Sequence, residues 1–169
     1  MAKSLPSDLR PFRAVTADFF ETANFRGRAS VRIAATPERV FEVLEDAQAW
    51  TEWAPVLTDV SWTSPKPFGQ GTTRDVWIVD RFLVREVFFI WDPGVRLAFH
   101  ATECNLPNMD AMGEDYQIRE LGGGELELTW TIASASTGFQ SKLGFITGPL
   151  TGFVQGRWLQ ALKAKCEAG

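Results

Sequence analysis

Residues 29–56, ASVRIAATPERVFEVLEDAQAWTEWAPV, change their hydrophobic period once, and that change marks a strand followed by a helix. Ala29, Val31 and Ile33 fall at every second position, the period of a strand with one buried face. Thr36 then precedes Pro37, an N-cap in front of the residue best tolerated at the first helical position. Val40, Phe41, Val43, Leu44 and Ala47 recur at helical spacing, which predicts one buried stripe. Asp46 is expected to end this helix, with Trp50, Trp53 and Pro55 leading back into a strand.

The motif V-x-I-x-A-x-P-E-x-V-F-x-V-L-x-D-x-x-x-W-x-x-W-x-P-V, which runs from Val31 to Val56, resembles the opening of START-like proteins. This is the SRPBCC group, which includes polyketide cyclases and lipid-transfer domains. The resemblance continues through Gly69 and Gly71, through Glu86–Val87 to Trp91–Asp92–Pro93 with Arg96–Leu97, and into a C-terminal helix, so that it spans Arg26 to Glu167. It implies an α+β chain with the Bet v 1-like helix-grip fold. In that fold a curved antiparallel sheet wraps a long C-terminal helix, and a short helical segment follows the first strand. The motif is specific for fold and says little about function, because the same fold hosts cyclases, carriers and receptors.

The rest of the chain is consistent with that architecture. Positions 1–24 read as an N-terminal extension and 25–169 as one START-like domain. Phe12, Phe19, Phe20 and Phe25 are much apolar surface for a tail; packing on the domain is the preferred reading and a dimer contact the alternative, so the chain is expected to be a monomer or a homodimer. Strands are predicted over Val56–Ser64, Thr72–Val79, Phe82–Trp91, from Val95 to Ala101, Asp110–Glu120 and Glu125–Ala135. Ser64–Gly71 is a turn-rich loop, Asp80–Arg81 a tight connection, and Gly122–Gly124 a hairpin turn able to take positive φ. Connections this short make the strands antiparallel, since parallel neighbours need long crossovers. From about Lys142 to Cys166 the apolar residues again follow helical spacing, with Pro149 suited to a first turn, so the regular part is expected to start near it.

Composition excludes several classes of function. Seventeen basic against 21 acidic residues give a net charge of −4 with no basic run, so no nucleic-acid partner is expected. No apolar segment approaches about twenty residues and the N-terminus has no continuous apolar h-region, so integral membrane association is not expected and a cytoplasmic location is. Cys104 and Cys166 match no metal-ligand spacing; they read as free thiols or, alternatively, as one bridge. Neither a metal nor a cofactor is expected. His100 is the single histidine, no G-x-S-x-G elbow occurs, and Gly69-x-Gly71 lacks the third glycine of a dinucleotide site.

Seven Trp and thirteen Phe against one Tyr describe either a large core or an apolar cavity with rigid aromatic walls. A helix crossing a strongly curved sheet touches it best at its ends, which favours a hollow between them. Alternation of faces puts Val76, Ile78, Phe88, Ile90, Leu97, Phe99, Tyr116, Ile118, Leu128, Trp130 and Ile132 inside. Ile146, Leu150, Phe153 and Val154 face them from the helix. The expected ligand-binding set is Val76, Ile78, Phe88, Ile90, Leu97, Phe99, Tyr116, Leu128, Trp130, Ile146, Leu150, Phe153 and Val154. The same parity turns Arg74, Glu86, Glu114 and Met112 inward. A carboxylate facing an apolar cavity must be paired, hydrated or raised in pKa, and Arg74 is the available partner for either glutamate. Arg74, Glu86, Glu114 and Tyr116 are therefore the catalytic candidates, weighed against a structural ion pair or solvent-facing side chains. The resemblance implies that Arg74 and Tyr116 are the nearest equivalents of groups that position a poly-β-keto chain in aromatic polyketide cyclases. His100 is expected on the surface, and Trp50 with Trp53 as a plug at one end of the core.

Three functions follow from these readings. The leading one is a non-catalytic binder or carrier of a small hydrophobic ligand, lipid- or polyketide-like, with the Ser64–Gly71 loop as wall or gate. The alternative is a polyketide cyclase/dehydratase-type enzyme, which would need at least two inward polar groups converging on one point of the cavity. The third, a protein-interaction module, predicts a filled interior and an exposed apolar patch.

Overall fold

The structure is a computed structural model that describes residues 4–136 and 144–168, with backbone only over 144–152. Its elements in chain order are β1 (Arg10–Pro11), α1 (Phe19–Thr22), β2 (Phe25–Ile33), α2 (Pro37–Glu45), α3 (Ala47–Trp53), β3 (Leu57–Trp62), β4 (Thr73–Ile78), β5 (Phe82–Asp92), β6 (Arg96–Cys104), β7 (Met109–Gly122), β8 (Glu125–Ser136) and α4 (Gly144–Glu167). The sheet runs in the order β2-β8-β7-β6-β5-β4-β3, with β1 paired to β6. Its pairings are antiparallel, as the short connections require. The curled sheet, with α4 against it, forms the helix-grip architecture.

Local chemistry accounts for the connections. Thr36 accepts a hydrogen bond from the Arg39 N–H, and Pro37 opens α2. The three-residue β4–β5 connection places Val79 and Asp80 at φ 46° and 57°, both left-handed, and the Arg81 N–H donates to the Ile78 carbonyl at 3.1 Å to close the turn. The β7–β8 turn uses Gly122, Gly123 and Gly124 at φ 85°, 65° and 82°, which a side chain would strain.

Four sequence expectations are corrected by tertiary structure. The Trp50–Trp53 segment is not a lead into a strand but a second helix, α3. Asp46 ends α2 and also caps α3, accepting a hydrogen bond from the Gln48 N–H at 2.9 Å. Second, α4 begins at Gly144, ahead of Pro149. Third, Phe88 pairs with Phe99 but the next pair is Ile90 with Ala98, so Phe89 is an extra residue in β5. This bulge turns Ile90 to the convex face and brings Trp91 inside, against Phe88 at 5.1 Å. Fourth, His100 is buried. It does point away from Phe99, but the convex face it joins is covered by the N-terminal segment, with Val15, Phe19, Phe20 and Ala23 packed over Ala98, Ala111, Ala133 and Ala135.

That segment also repairs the sheet. Beyond the pair His100–Gly113, β7 parts from β6, and β1 enters the gap. Phe12 N–H donates to the Thr102 carbonyl at 2.8 Å and Arg13 N–H to the Asp110 carbonyl at 2.7 Å. Phe12 itself packs on Val84, Ala101 and Cys104. The main core lies on the concave side, between the sheet and α2, α3 and α4, and includes Trp50, Trp53, Phe88, Phe99, Tyr116, Leu128, Leu159 and Leu162.

Phe20 is 2% exposed and stacks on Phe89 with ring planes 8° apart. Phe20→Ala is therefore expected to lower unfolding free energy by about 3–5 kcal/mol in urea titration. A loss under about 1 kcal/mol would mean that the segment is not part of the folded unit.

Candidate functional site

The concave interior is not filled to its end. A cavity of ≈ 190 Å³ is lined by Trp50, Trp53, Ala54, Val56, Leu57, Arg74, Val76, Ile78, Glu86, Met112, Glu114, Trp130, Ile132 and Trp158. Its walls come from α3 and the turn into β3, from β4, β5, β7 and β8, and from Trp158 on α4. Four tryptophans supply flat, rigid surface. Three charged residues, Arg74, Glu86 and Glu114, interrupt it, and each is placed by the strand pairing.

Arg74 lies directly opposite Glu86 across β4 and β5, and its Nε donates to Glu86 Oε2 at 2.5 Å. Both side chains are almost wholly buried, at 1% and 4% exposure. The guanidinium carbon sits 4.0 Å from the Trp50 ring centre and 4.5 Å from that of Phe99, a cation held against aromatic faces. Nη1 of Arg74 is buried and carries no hydrogen bond. Burial pushes the Glu86 carboxyl up, and the neighbouring guanidinium opposes the shift.

Glu114 stands opposite Phe99 on one side and Ile132 on the other. Its Oε2 accepts from the Tyr116 hydroxyl at 2.7 Å and from Trp130 Nε1 at 2.9 Å. Arg74 is committed to Glu86, so Glu114 has no ion-pair partner among the described residues. Burial, and then the nearby Glu86 charge, push its carboxyl up to about 7, against the lowering effect of its two donors and of Arg74. Among the described residues, the titratable groups around it are Tyr116 from its own strand, Arg74 from β4 and Glu86 from β5, while α3, α4 and β8 contribute tryptophans and Ile132 to the same cavity. Tyr116 is held well above its ordinary pKa by burial and by the Glu114 charge, and stays protonated. Trp53 adds a second buried donor without a partner, its Nε1.

The sequence-predicted residues fall into four groups. Val76, Ile78 and Trp130, with Arg74, Glu86 and Glu114, meet at the cavity wall. Phe88, Leu97, Phe99, Tyr116 and Leu128 are buried in the core behind it, where Phe88 and Phe99 bed the Arg74 guanidinium. Ile90 faces the other side of the sheet, and Phe153 and Val154 line a surface groove with Pro55 and Arg157 that shares only Trp53 and Trp158 with the cavity, Phe153 being 68% exposed. Ile146 and Leu150 lie outside the residues whose side chains are described. Trp50, Trp53 and Trp158 are wall residues that alternation along strands does not reach, because they sit on helices; the helical stripe through Trp158 was the available signal. The Ser64–Gly71 loop contributes nothing to the wall, and its Phe68 packs on Trp62 at 4.4 Å.

Comparison with known proteins places this geometry. Residues 24–167 match the profile of the family described as Polyketide cyclase / dehydrase and lipid transport. The chain is 41% identical over 158 residues to the uncharacterized protein Rv2574 of Mycobacterium tuberculosis, covering 94% of each. Its fold is similar to that of the Zhui aromatase/cyclase from a Streptomyces species (TM-score 0.63, 17% identity, 84% of this chain and 93% of the other). It is also similar to that of a START superfamily protein from Mycobacterium smegmatis (TM-score 0.61, 13% identity, 85% and 94%). At such identities these two structures speak for the fold alone.

Two measurements check the electrostatics. The folded chain keeps the Glu114 proton up to about pH 7, whereas the unfolded chain releases it in the ordinary carboxylate range. Stability should therefore fall as pH rises across that window and level off above it. Glu114→Gln is expected to raise Tm more at pH 8 than at pH 5; parallel pH profiles for both proteins would contradict the shift. Arg74→Met leaves Glu86 buried and unpaired and should cost about 3–5 kcal/mol in urea titration, while Arg74→Met with Glu86→Leu recovers most of it. A double variant no more stable than the single one would show that the pair does not act as a unit.

Proposed function

Because the chain belongs to the Polyketide cyclase / dehydrase and lipid transport family, we propose that it binds a small hydrophobic ligand in the cavity between the curved sheet and helices α3 and α4. Membership brings a ligand-binding fold; the ligand and the use of this cavity are the proposal. The observation that carries it is an unfilled space inside an otherwise close-packed aromatic core. Native interiors keep few voids of that size unless something occupies them. A filled interior, as an interaction module requires, is not what the concave face presents. The reading is of a non-catalytic binder or carrier, a monomer or homodimer working in the cytoplasm. The free state of both buried cysteines suits that compartment. No helix among the described residues is long and apolar enough to cross a membrane.

One observation favours a second reading, a cyclase- or dehydratase-type enzyme. Arg74, Glu86 and Glu114 line the same cavity, and a carboxyl that titrates at about 7 is poised to give and take protons at neutral pH. Turnover of a poly-keto or aromatic substrate that disappears in Glu114→Gln, with binding retained, would establish it.

Native mass spectrometry of protein from its own source, with extraction of what it carries, tests the binding function. One apolar compound in fixed stoichiometry is expected, and it should be lost from Val76→Phe, which fills the cavity. Consistently empty protein with no thermal shift across a panel of lipids and polyketide-like compounds would overturn both readings.

A further inference from the structure

The cavity's size and its unused hydrogen-bonding groups narrow the ligand further, given the binding function proposed above. A dry cavity of about 150 Å³ is enough to hold benzene. At ≈ 190 Å³ this one holds a single ring with a short substituent, and not a long acyl chain or a fused polyketide. Its tryptophan walls suit a flat molecule.

The polar groups specify what that molecule presents. Arg74 has one hydrogen bond among the described residues, through Nε, and Nη1 is left buried without a partner. Trp53, 1% exposed, leaves Nε1 in the same state. Both side chains are on the cavity wall, and the rings of Trp53 and Trp50 lie 5.0 Å apart, with the Arg74 guanidinium over Trp50. A buried unpaired donor costs free energy that an acceptor on the ligand would recover. Gln155 and Arg39 also hold buried unpartnered atoms but do not line this cavity; on the residues that do, the unmet groups are both donors, so the ligand supplies an acceptor oxygen.

Charge disfavours carboxylate and ammonium ligands. Arg74 is already neutralised by Glu86, so a ligand carboxylate would be an additional buried anion beside Glu86 and Glu114. An ammonium ligand would enter next to the Arg74 cation, whose aromatic faces at Trp50 and Phe99 are already taken. It would also leave both unpaired donors unmet. We propose that this cavity accepts a compact, uncharged, ring-sized molecule carrying a carbonyl-type oxygen, which is bound by the unpartnered N–H groups of Arg74 and Trp53.

Calorimetric titration of the full chain at pH 6 with five probes tests this: acetophenone, its oxygen-free analogue ethylbenzene, 1-phenylethylamine, benzoate and palmitate. Acetophenone is expected to bind with a Kd at least about tenfold lower than that of each of the others, the margin a satisfied buried donor confers over an unsatisfied one. Trp53→Phe keeps an aromatic wall but loses Nε1 together with the five-membered part of the indole. Since both probes meet the same enlarged cavity, the ratio of their affinities isolates the donor, and the acetophenone-to-ethylbenzene ratio should shrink several-fold. Should that variant not fold, Arg74→Met with Glu86→Leu, which removes the Arg74 donors and their counter-charge together, provides the same comparison. Equal affinities for acetophenone and ethylbenzene, or tighter binding of the amine or benzoate, would overturn the carbonyl assignment. Palmitate bound in preference would overturn the compact-ligand assignment while leaving the hydrophobic-binder reading in place. Binding of none of the five, together with empty protein from the native source, would remove both.

Discussion

The Arg74–Glu86 pair sets the terms for everything around it. Two charges that would each be costly to bury are placed opposite one another on adjacent strands, at 2.5 Å, and the guanidinium is laid against the faces of Trp50 and Phe99. The arrangement joins α3, β4, β5 and β6 through one side chain. On one side of it lies the packed core of Phe88, Leu97, Phe99 and Leu128; on the other lies the cavity. A polar group at that boundary gives the hollow a chemical identity that an all-aliphatic wall would lack.

Glu114 follows from the same constraint. With Arg74 engaged, a second carboxyl in the concave interior has only neutral donors to lean on, Tyr116 and Trp130, and its proton is held to about pH 7. The interior thus carries one compensated ion pair and one nearly neutral acid. This balance suits uncharged ligands, and it also leaves room for acid–base chemistry, which is why the binder and the enzyme readings share one set of residues.

The convex face shows how a short peptide at the start of the chain completes the fold. The sheet's strong curvature separates β7 from β6 past Gly113, and β1 fills the opening, while α1 and the residues before it cover a face of alanines. Gly113 is needed there: a Cβ would sit 2.9 Å from the Phe99 carbonyl oxygen and crowd Phe20 and Val15. The small residues of β6, β7 and β8 on that face are the imprint of the covering segment.

Local pattern alone was enough for the capped helix at Thr36–Pro37, the antiparallel strands, their turns and the long last helix. These depend on periodicity, capping and φ preferences that act within a few residues. The inward placement of Arg74, Glu86 and Glu114 was also legible, because strand alternation survives wherever the ladder is regular. Tertiary structure alone decided the rest. The bulge at Phe89 reversed Ile90 and Trp91, since one extra residue inverts parity and leaves no signature in composition. The covering of His100 depended on where a distant segment docks. The cavity wall drew Trp50, Trp53 and Trp158 from two helices whose positions are fixed by packing against the sheet, and no sequence spacing encodes that contact.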